Sequence, residues 1–401
     1  MVPSLNLAPS TAAWNGRVKA AVFAIGLVLT TYSAANWWSI FVNHAPPCHP
    51  ECAADFVTFY ATAKLMSGNA ASLYDLDQQF AYQKQIAPLR QVLPFVYPPI
   101  TALLMSPLAW FSFSNAFLLM TLFNLALLWD SIRRLNRTLG LTRDQSQWLL
   151  LFTLCNYGVH HVLYQGQTSV IVLYLFTGYV ISERLLHKYR GGFWIGLLSV
   201  KPQYLPVPNL IFLLQGKWRT LFLSLLFTAV LTVGAFLTIG VDSLWQYFSL
   251  VRRMAMVEQD WWNQLSGMHN LRALAIYWLS ADWKEYGWWL SSAMVIASIC
   301  WVNLRARYCS MNFQRLWITN VLGLLLVIPH LFTHDLALLI LPCALLLSLF
   351  RERVSIPVGL GLISLGLVPI TSFVFPTIVA LVFLILYIVS LTLCLSETSS
   401  T

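Results

Sequence analysis

The stretch "CAADFVTFYATAKLMSGNAASLYDLDQ", residues 52–78, decides how the rest of the chain is read. The chain on either side of the segment that holds it is apolar and nearly free of charge. Here a carboxylate (Asp55), aromatics spaced around a lysine, a glycine turn and a second acidic cluster arrive together. It belongs to the first large polar segment, 43–98, set between two oily regions. Within that segment, "ASLYDLDQQFAYQKQI" has the apolar spacing of a helix lying along a membrane surface.

The composition agrees. Of 401 residues, 58% are hydrophobic and only 10% charged, against about 25% charged in ordinary soluble domains. Apolar runs recur to the C-terminus, so one signal peptide does not account for them. The chain reads as an all-α polytopic membrane protein. Its net charge of +9 is carried by basic clusters between apolar runs. That is the pattern of cytoplasmic membrane loops and not of a nucleic-acid surface.

Most of the seven cysteines lie inside apolar runs and read as buried thiols. Cys48 and Cys52, in "CHPEC", are open to a local disulfide if that loop faces an oxidising compartment. A zinc site with His44 and His49 would lack a second ligand pair.

Arg17 and Lys19 precede an apolar run over about 20–42, read as an uncleaved first helix ending in an interfacial aromatic anchor. Pro98 and Pro99 mark the start of another helix. Further runs are expected at 99–111, 115–131, 147–163, 168–182, 191–200, 205–215, 219–240, 286–303, 316–331, 335–350, 355–374 and 376–395. About 11–13 transmembrane or re-entrant helices result, several too short to cross a core of about 30 Å. Residues 1–18 and 396–401 read as tails around one membrane domain, 19–395.

Basic clusters at 133–137, 183–190, 216–219, 305–307 and 351–353 should share the cytoplasmic side. The pair of runs around Lys201 must then dip in and return, and 99–131 must make one net crossing. Under that orientation Asp55, Gln165, Gln167, Lys201, the 241–285 loop with Arg272, His330, His334 and Asp335 gather on the opposite face.

Each of these has two readings. Asp55 could cap the helix that follows it, or serve as a general base. Lys201 could snorkel from a helix end, or meet an anionic phosphate. His330 and His334, four apart, would share one helix face. No glutamate sits between them as in zinc peptidases, so polar packing or substrate contact is the expectation and a metal is not. "YQGQTS", residues 164–169, reads as a tight turn in which glycine permits close backbone approach. His160 and His161 read as polar packing. The chain has no P-loop, no dinucleotide fingerprint and no nucleophile elbow.

Five quoted pieces form a recognisable order: "DFVTFYATAKLMSGNAASLYD", "VYPPITALLMSPLAWF", "YQGQTSVIVLYLF", "GLLSVKPQYLPVPNLIFLLQGKWR" and "IPHLFTHDLALLILP". Over roughly residues 50–345 the sequence resembles glycosyltransferase family 87, which includes polyprenyl-phosphate-mannose-dependent α-1,2-mannosyltransferases. The resemblance implies a GT-C fold with its active site on the extracytoplasmic face of a bacterial inner or plasma membrane. It implies a hexose, foremost mannose, moved with inversion from a polyprenyl-monophosphate donor to a glycan or glycolipid acceptor. The family's catalytic aspartate falls on Asp55. Donor contacts are expected from Lys201, His330, His334 and Arg272, and substrate contacts from Tyr60, Tyr97, Gln165, Gln167 and Asp335. No cofactor is implied, and a single aspartate followed by Phe56 offers no acidic pair for a metal. The partners implied are the lipid-linked sugar, the acceptor and membrane lipids. A flippase would instead show paired broken helices in two corresponding halves; one break, at Lys201, is visible. A glycan polymerase or an acyltransferase is the remaining alternative.

Overall fold

The computed structural model describes residues 11–42, 54–87, 92–187, 189–261, 268–350, 353–373 and 377–396. Cys48, Cys52, His44 and His49 lie outside these, as do both ends of the chain. The described residues form helices joined by turns and short non-helical segments, with one isolated bridge between Met268 and Phe332. Among them, five helices are long and apolar enough to cross a membrane.

Helix α1 (Thr11–Val42) is followed by two short helices at the polar insert, α2 (Ala54–Asn69) and α3 (Leu76–Ile86). Asp75 caps α3 by accepting from the amides of Asp77 and Gln78, and α3 forms within the stretch 71–86 expected to be helical. Pro99 opens α4 (Pro99–Met105), which has 7 residues, and a 3-10 turn of 5 residues follows. At about 1.5 Å per residue these cannot span the bilayer. Within this stretch only α5 (Phe113–Leu139), 27 residues long, is long and apolar enough to cross.

The run expected at 147–163 is broken in two, α6 (Arg143–Cys155) and α7 (Tyr157–Gln165). Asn156 causes the break. Its Oδ1 accepts from the amide of Val159, and its Nδ2 donates to the carbonyl of Leu336. Helix α8 (Ser169–Arg184) then runs through the centre with most of its side chains buried.

The region around Lys201 is a re-entrant hairpin. Helix α9 (Arg190–Gly196) runs alongside α11 (Trp218–Ile239) in the same direction. Gly192 abuts Thr220, and Gly196 abuts Ser224 and Phe227. Helix α10 (Pro206–Leu214) returns to the start of α11, where the amide of Lys217 bonds the carbonyl of Phe212. Lys201, in a non-helical conformation between two 3-10 turns, is the tip.

After α12 (Asp242–Trp261) and α13 (Leu271–Trp278), the membrane region closes with α14 (Lys284–Tyr308), α15 (Phe313–Val327), α16 (Ile340–Leu347), α17 (Ile356–Leu367) and α18 (Ile378–Ser396). A 3-10 turn, Thr333–Leu339, leads into α16. Apolar side chains such as Phe222, Val230, Leu237, Met294 and Ile385 point outward from the long helices, as expected where lipid is the solvent.

Contacts place the basic clusters at one end. Lys19 pairs with Asp144, whose other oxygen accepts from the amide of Val354. Gln145 donates to the carbonyl of Phe350. Lys217 pairs with Glu183, Arg219 donates to the hydroxyl of Tyr189, and the Arg307 guanidinium lies against Gly216. Arg134 stacks over Tyr174 and Trp194, tying α5 to α8 and α9. The polar groups considered next occupy the other end of the bundle.

Candidate active site

The site begins with a close approach of two backbones. The "YQGQ" turn joins α7 to α8, and Gly166 adopts the left-handed conformation there, with φ 68°. A β-carbon on Gly166 would stand 2.7 Å from that of Phe56. Glycine therefore lets the turn press directly against α2, one residue from Asp55. A second close approach, at Gly158, brings α7 onto the Thr333–Leu339 turn, where a β-carbon would lie 2.7 Å from the amide of Ala337. These two contacts fix Asp55, the glutamine turn and the His330–Asp335 segment relative to one another.

Asp55 sits in the first turn of α2 and is half-buried. Its amide donates to Oε1 of Gln165 at 3.4 Å, and its Oδ2 accepts from Nε2 of Gln167 at 2.8 Å. The carboxylate is thus engaged across the fold by a residue of another helix pair. Burial pushes the acid above the usual carboxylate range, against the opposing pull of the Gln167 hydrogen bond and the Lys201 charge.

Deeper in, Lys201 is 1% exposed and Asp335 also 1%, so neither charge reaches solvent. The Lys201 Nζ donates to Oδ1 of Asp335 at 3.0 Å and to Oγ of Ser169 at 2.9 Å. The Ser169 hydroxyl donates to the same Asp335 oxygen at 2.7 Å. The amide of Phe332 reaches Oδ2 at 3.3 Å. Three separate segments meet in this knot: the start of α8, the tip of the hairpin and the turn before α16. The sequence reading offered Lys201 to a phosphate; the structure gives its charge an internal partner. The reason is dielectric, because an unpaired ammonium at that depth costs several kcal/mol, on the order given for buried ions.

His330 and His334 do not share a helix face. Residues 328–332 are non-helical, held by the bridge from Met268 to Phe332 and by the amide of His269 donating to the carbonyl of Leu331 at 2.9 Å. Asn270 locks the same strip, with Nδ2 donating to the carbonyls of Ile328 and Pro329 and Oδ1 capping α13. His334 lies 3.5 Å from Oδ2 of Asp335 and stacks on His161. Thr333 meets Nε2 of His269 at 2.9 Å. Arg272, in the first turn of α13, lies over the Trp288 ring and places Nη1 3.5 Å from Nε2 of His330.

The two tyrosines are placed differently. Tyr97 lies within electrostatic reach of Lys201, Asp55 and Asp335, and its ring packs on Phe59 and Phe95. Tyr60 belongs to an aromatic cluster with Phe56 and Phe113, and its hydroxyl donates to the carbonyl of Phe111 at 2.7 Å. Its polar atom is thereby committed to the backbone. Among the described residues, no group of three His, Cys, Asp or Glu side chains is arranged to hold a metal ion. Sequence reasoning passed over Ser169, Asn270, Thr333 and His269. A signal was present for each, since all are polar residues that the fold buries beside an apolar run.

Chemically, the arrangement offers a half-buried carboxylate with one oxygen fixed, a charge-balanced Lys–Asp pair beneath it, and an Arg–His group held on a rigid strip. That set suits proton abstraction beside an anionic group. No curated protein and no solved structure matches the chain. The family model for glycosyltransferase family 87 matches residues 95–329, more than half of it. The matched stretch contains Tyr97, Gln165, Gln167, Lys201 and Arg272, while Asp55, His330, His334 and Asp335 lie outside it. The chain therefore belongs to glycosyltransferase family 87.

Proposed function

We propose that this membrane glycosyltransferase moves a hexose, foremost mannose, from a polyprenyl-monophosphate donor to a glycan or glycolipid acceptor, with Asp55 as the general base. The observation that carries the reading is Asp55 itself. It is half-buried at the end of the bundle away from the basic clusters, fixed at Oδ2 by Gln167. Burial favours its neutral form, which is the bias a proton acceptor of useful strength needs.

In the proposed step, the acceptor hydroxyl gives its proton to Asp55 as its oxygen attacks the anomeric carbon. The bond from that carbon to the phosphate oxygen breaks, and its electron pair leaves on the polyprenyl phosphate. Attack opposite the leaving group inverts a β-linked donor to an α-linked product. Arg272 is the cation and His330 the neighbouring hydrogen-bonding group we assign to the phosphate, with His334 beside them. Lys201 contributes to the field while remaining paired to Asp335. The distribution of basic residues supports an extracytoplasmic site, since positive loops favour the cytoplasmic side, and a place in a bacterial inner or plasma membrane.

Purified enzyme in lipid nanodiscs, supplied with polyprenyl-phosphate mannose and an alkyl mannoside acceptor, should form a glycosidic product. GDP-mannose in the same assay should give none. Transfer from the nucleotide sugar, with none from the lipid donor, would overturn the proposal.

A further inference from the structure

We infer that Gln167 is the positioning residue for Asp55: it selects Oδ1 as the carboxylate oxygen that meets the acceptor hydroxyl. The inference rests on the reading of Asp55 as the base and adds to it a residue that sets its geometry.

The argument begins with the orientation of an amide. The two ends of a glutamine side chain differ in role, since the oxygen accepts and the nitrogen donates. The Oε1 of Gln167 accepts from the amide of Thr168 at 3.1 Å. That bond leaves Nε2 to face Asp55, where it donates to Oδ2 at 2.8 Å. The flipped amide would set two acceptors against each other and a donor against an N–H, so only one orientation is compatible with both partners.

The backbone beneath the side chain is equally fixed. The Gln167 amide donates to the carbonyl of Val162 at 3.0 Å, and its own carbonyl accepts from Nδ2 of Asn124 at 3.0 Å. Gln167 is 4% exposed, so water does not compete for its Nε2. Gly166 sets the distance from the turn to α2, as its approach to Phe56 shows. Gln165 meanwhile holds the amide of Asp55 from the same turn. Both the backbone and one carboxylate oxygen of Asp55 are therefore set by a single three-residue turn. Among the described residues Oδ1 has no hydrogen-bond donor, and it is the oxygen left to accept a proton.

A residue that only filled space at this position would affect the rate equally at every pH. A donor to the carboxylate does more, because it favours the ionised base. Loss of the donor should raise the pH at which Asp55 ionises and so shift the acid limb of the pH–rate profile upward. A hydrogen bond to a charged group is of a size that moves this limb by about one pH unit.

The test compares Gln167→Met and Gln167→Glu with the unaltered enzyme in the polyprenyl-phosphate mannose assay, over a pH series. Methionine keeps the length without a donor. Glutamate keeps the shape but sets a like charge against Asp55. The expected result is an upward move of the acid limb in both, larger for Gln167→Glu, with turnover at neutral pH down about tenfold or more. Donor binding should change little. An unmoved limb in whichever variant remains monodisperse would overturn the inference, even if the rate falls. Asp55→Asn is run alongside. If that variant remains active, the reading of Asp55 as base has failed. If it is inactive while both Gln167 variants keep the original profile, only the positioning role has.

Discussion

Replacing Lys201 with methionine should destabilise the protein, and replacing Asp335 as well should restore most of the loss. The two charges are 3.0 Å apart and almost wholly excluded from solvent. At an effective dielectric of about 20 their attraction is about 5–6 kcal/mol, offset by the cost of bringing both ions out of water. Removing one partner leaves the other buried and uncompensated, at a cost of about 3–5 kcal/mol. Lys201→Met would leave Asp335 with Ser169, the Phe332 amide and His334 as its remaining neighbours, none of them a full countercharge. Asp335→Leu would strand Lys201 at the tip of the hairpin. With both replaced by apolar side chains of similar volume, no charge is left buried and the change should be near neutral. The assay is the fraction of monomeric protein surviving a heating series in detergent, followed by size-exclusion chromatography. Each single variant should fail at clearly lower temperature than the unaltered protein, and the double variant should fall above both. Losses that simply add would refute the reasoning, because they would mean the two residues do not depend on each other.

Gly166→Ala should cut transfer strongly while leaving the bundle assembled, because its β-carbon would meet that of Phe56 at 2.7 Å and the residue holds a φ of 68°; size-exclusion behaviour and turnover measured together check this. Gly158→Ala should instead lower thermal stability, since its β-carbon would meet backbone atoms of Leu336 and Ala337. A cysteine introduced at exposed Ser67, in a background with Cys48, Cys52 and Cys309 replaced by serine, should react with an impermeant maleimide on intact cells. Cys309, exposed beside Arg305 and Arg307, should react only after permeabilisation when Cys48 and Cys52 are replaced by serine, and the reverse pattern would refute the orientation.

Much of this arrangement is legible in the sequence. The helix starts at Pro99 and the polar insert at 43–98 follow from proline chemistry and the hydropathy pattern, and α3 appears where its apolar spacing predicts. The gathering of polar oddities at one end follows from loop charge. What the sequence hides is pairing over long separations. Nothing near Lys201 announces that its counter-ion is Asp335, 134 residues away. Nor does the spacing of His330 and His334 reveal that Asn270 and the Met268–Phe332 bridge keep that strip out of a helix. The resemblance implies a substrate contact for Gln167, and its bond to Asp55 emerges only when Gly166 is seen against Phe56. Aromatic residues mislead for a related reason, since Tyr60 offers a hydroxyl that a backbone carbonyl has already taken.

The central claim is that Asp55 accepts the proton, and purified Asp55→Asn tests it most directly. Asparagine keeps the size and can cap a helix about as well as aspartate, but it does not take up a proton near neutral pH. Transfer from polyprenyl-phosphate mannose is measured on this variant, with donor binding followed in parallel. The account predicts intact binding and a loss of turnover of about 10²–10⁴-fold, the usual contribution of a positioned base. Near-normal turnover would contradict it, and would send the search for the base to Glu51, Asp75 or Asp335.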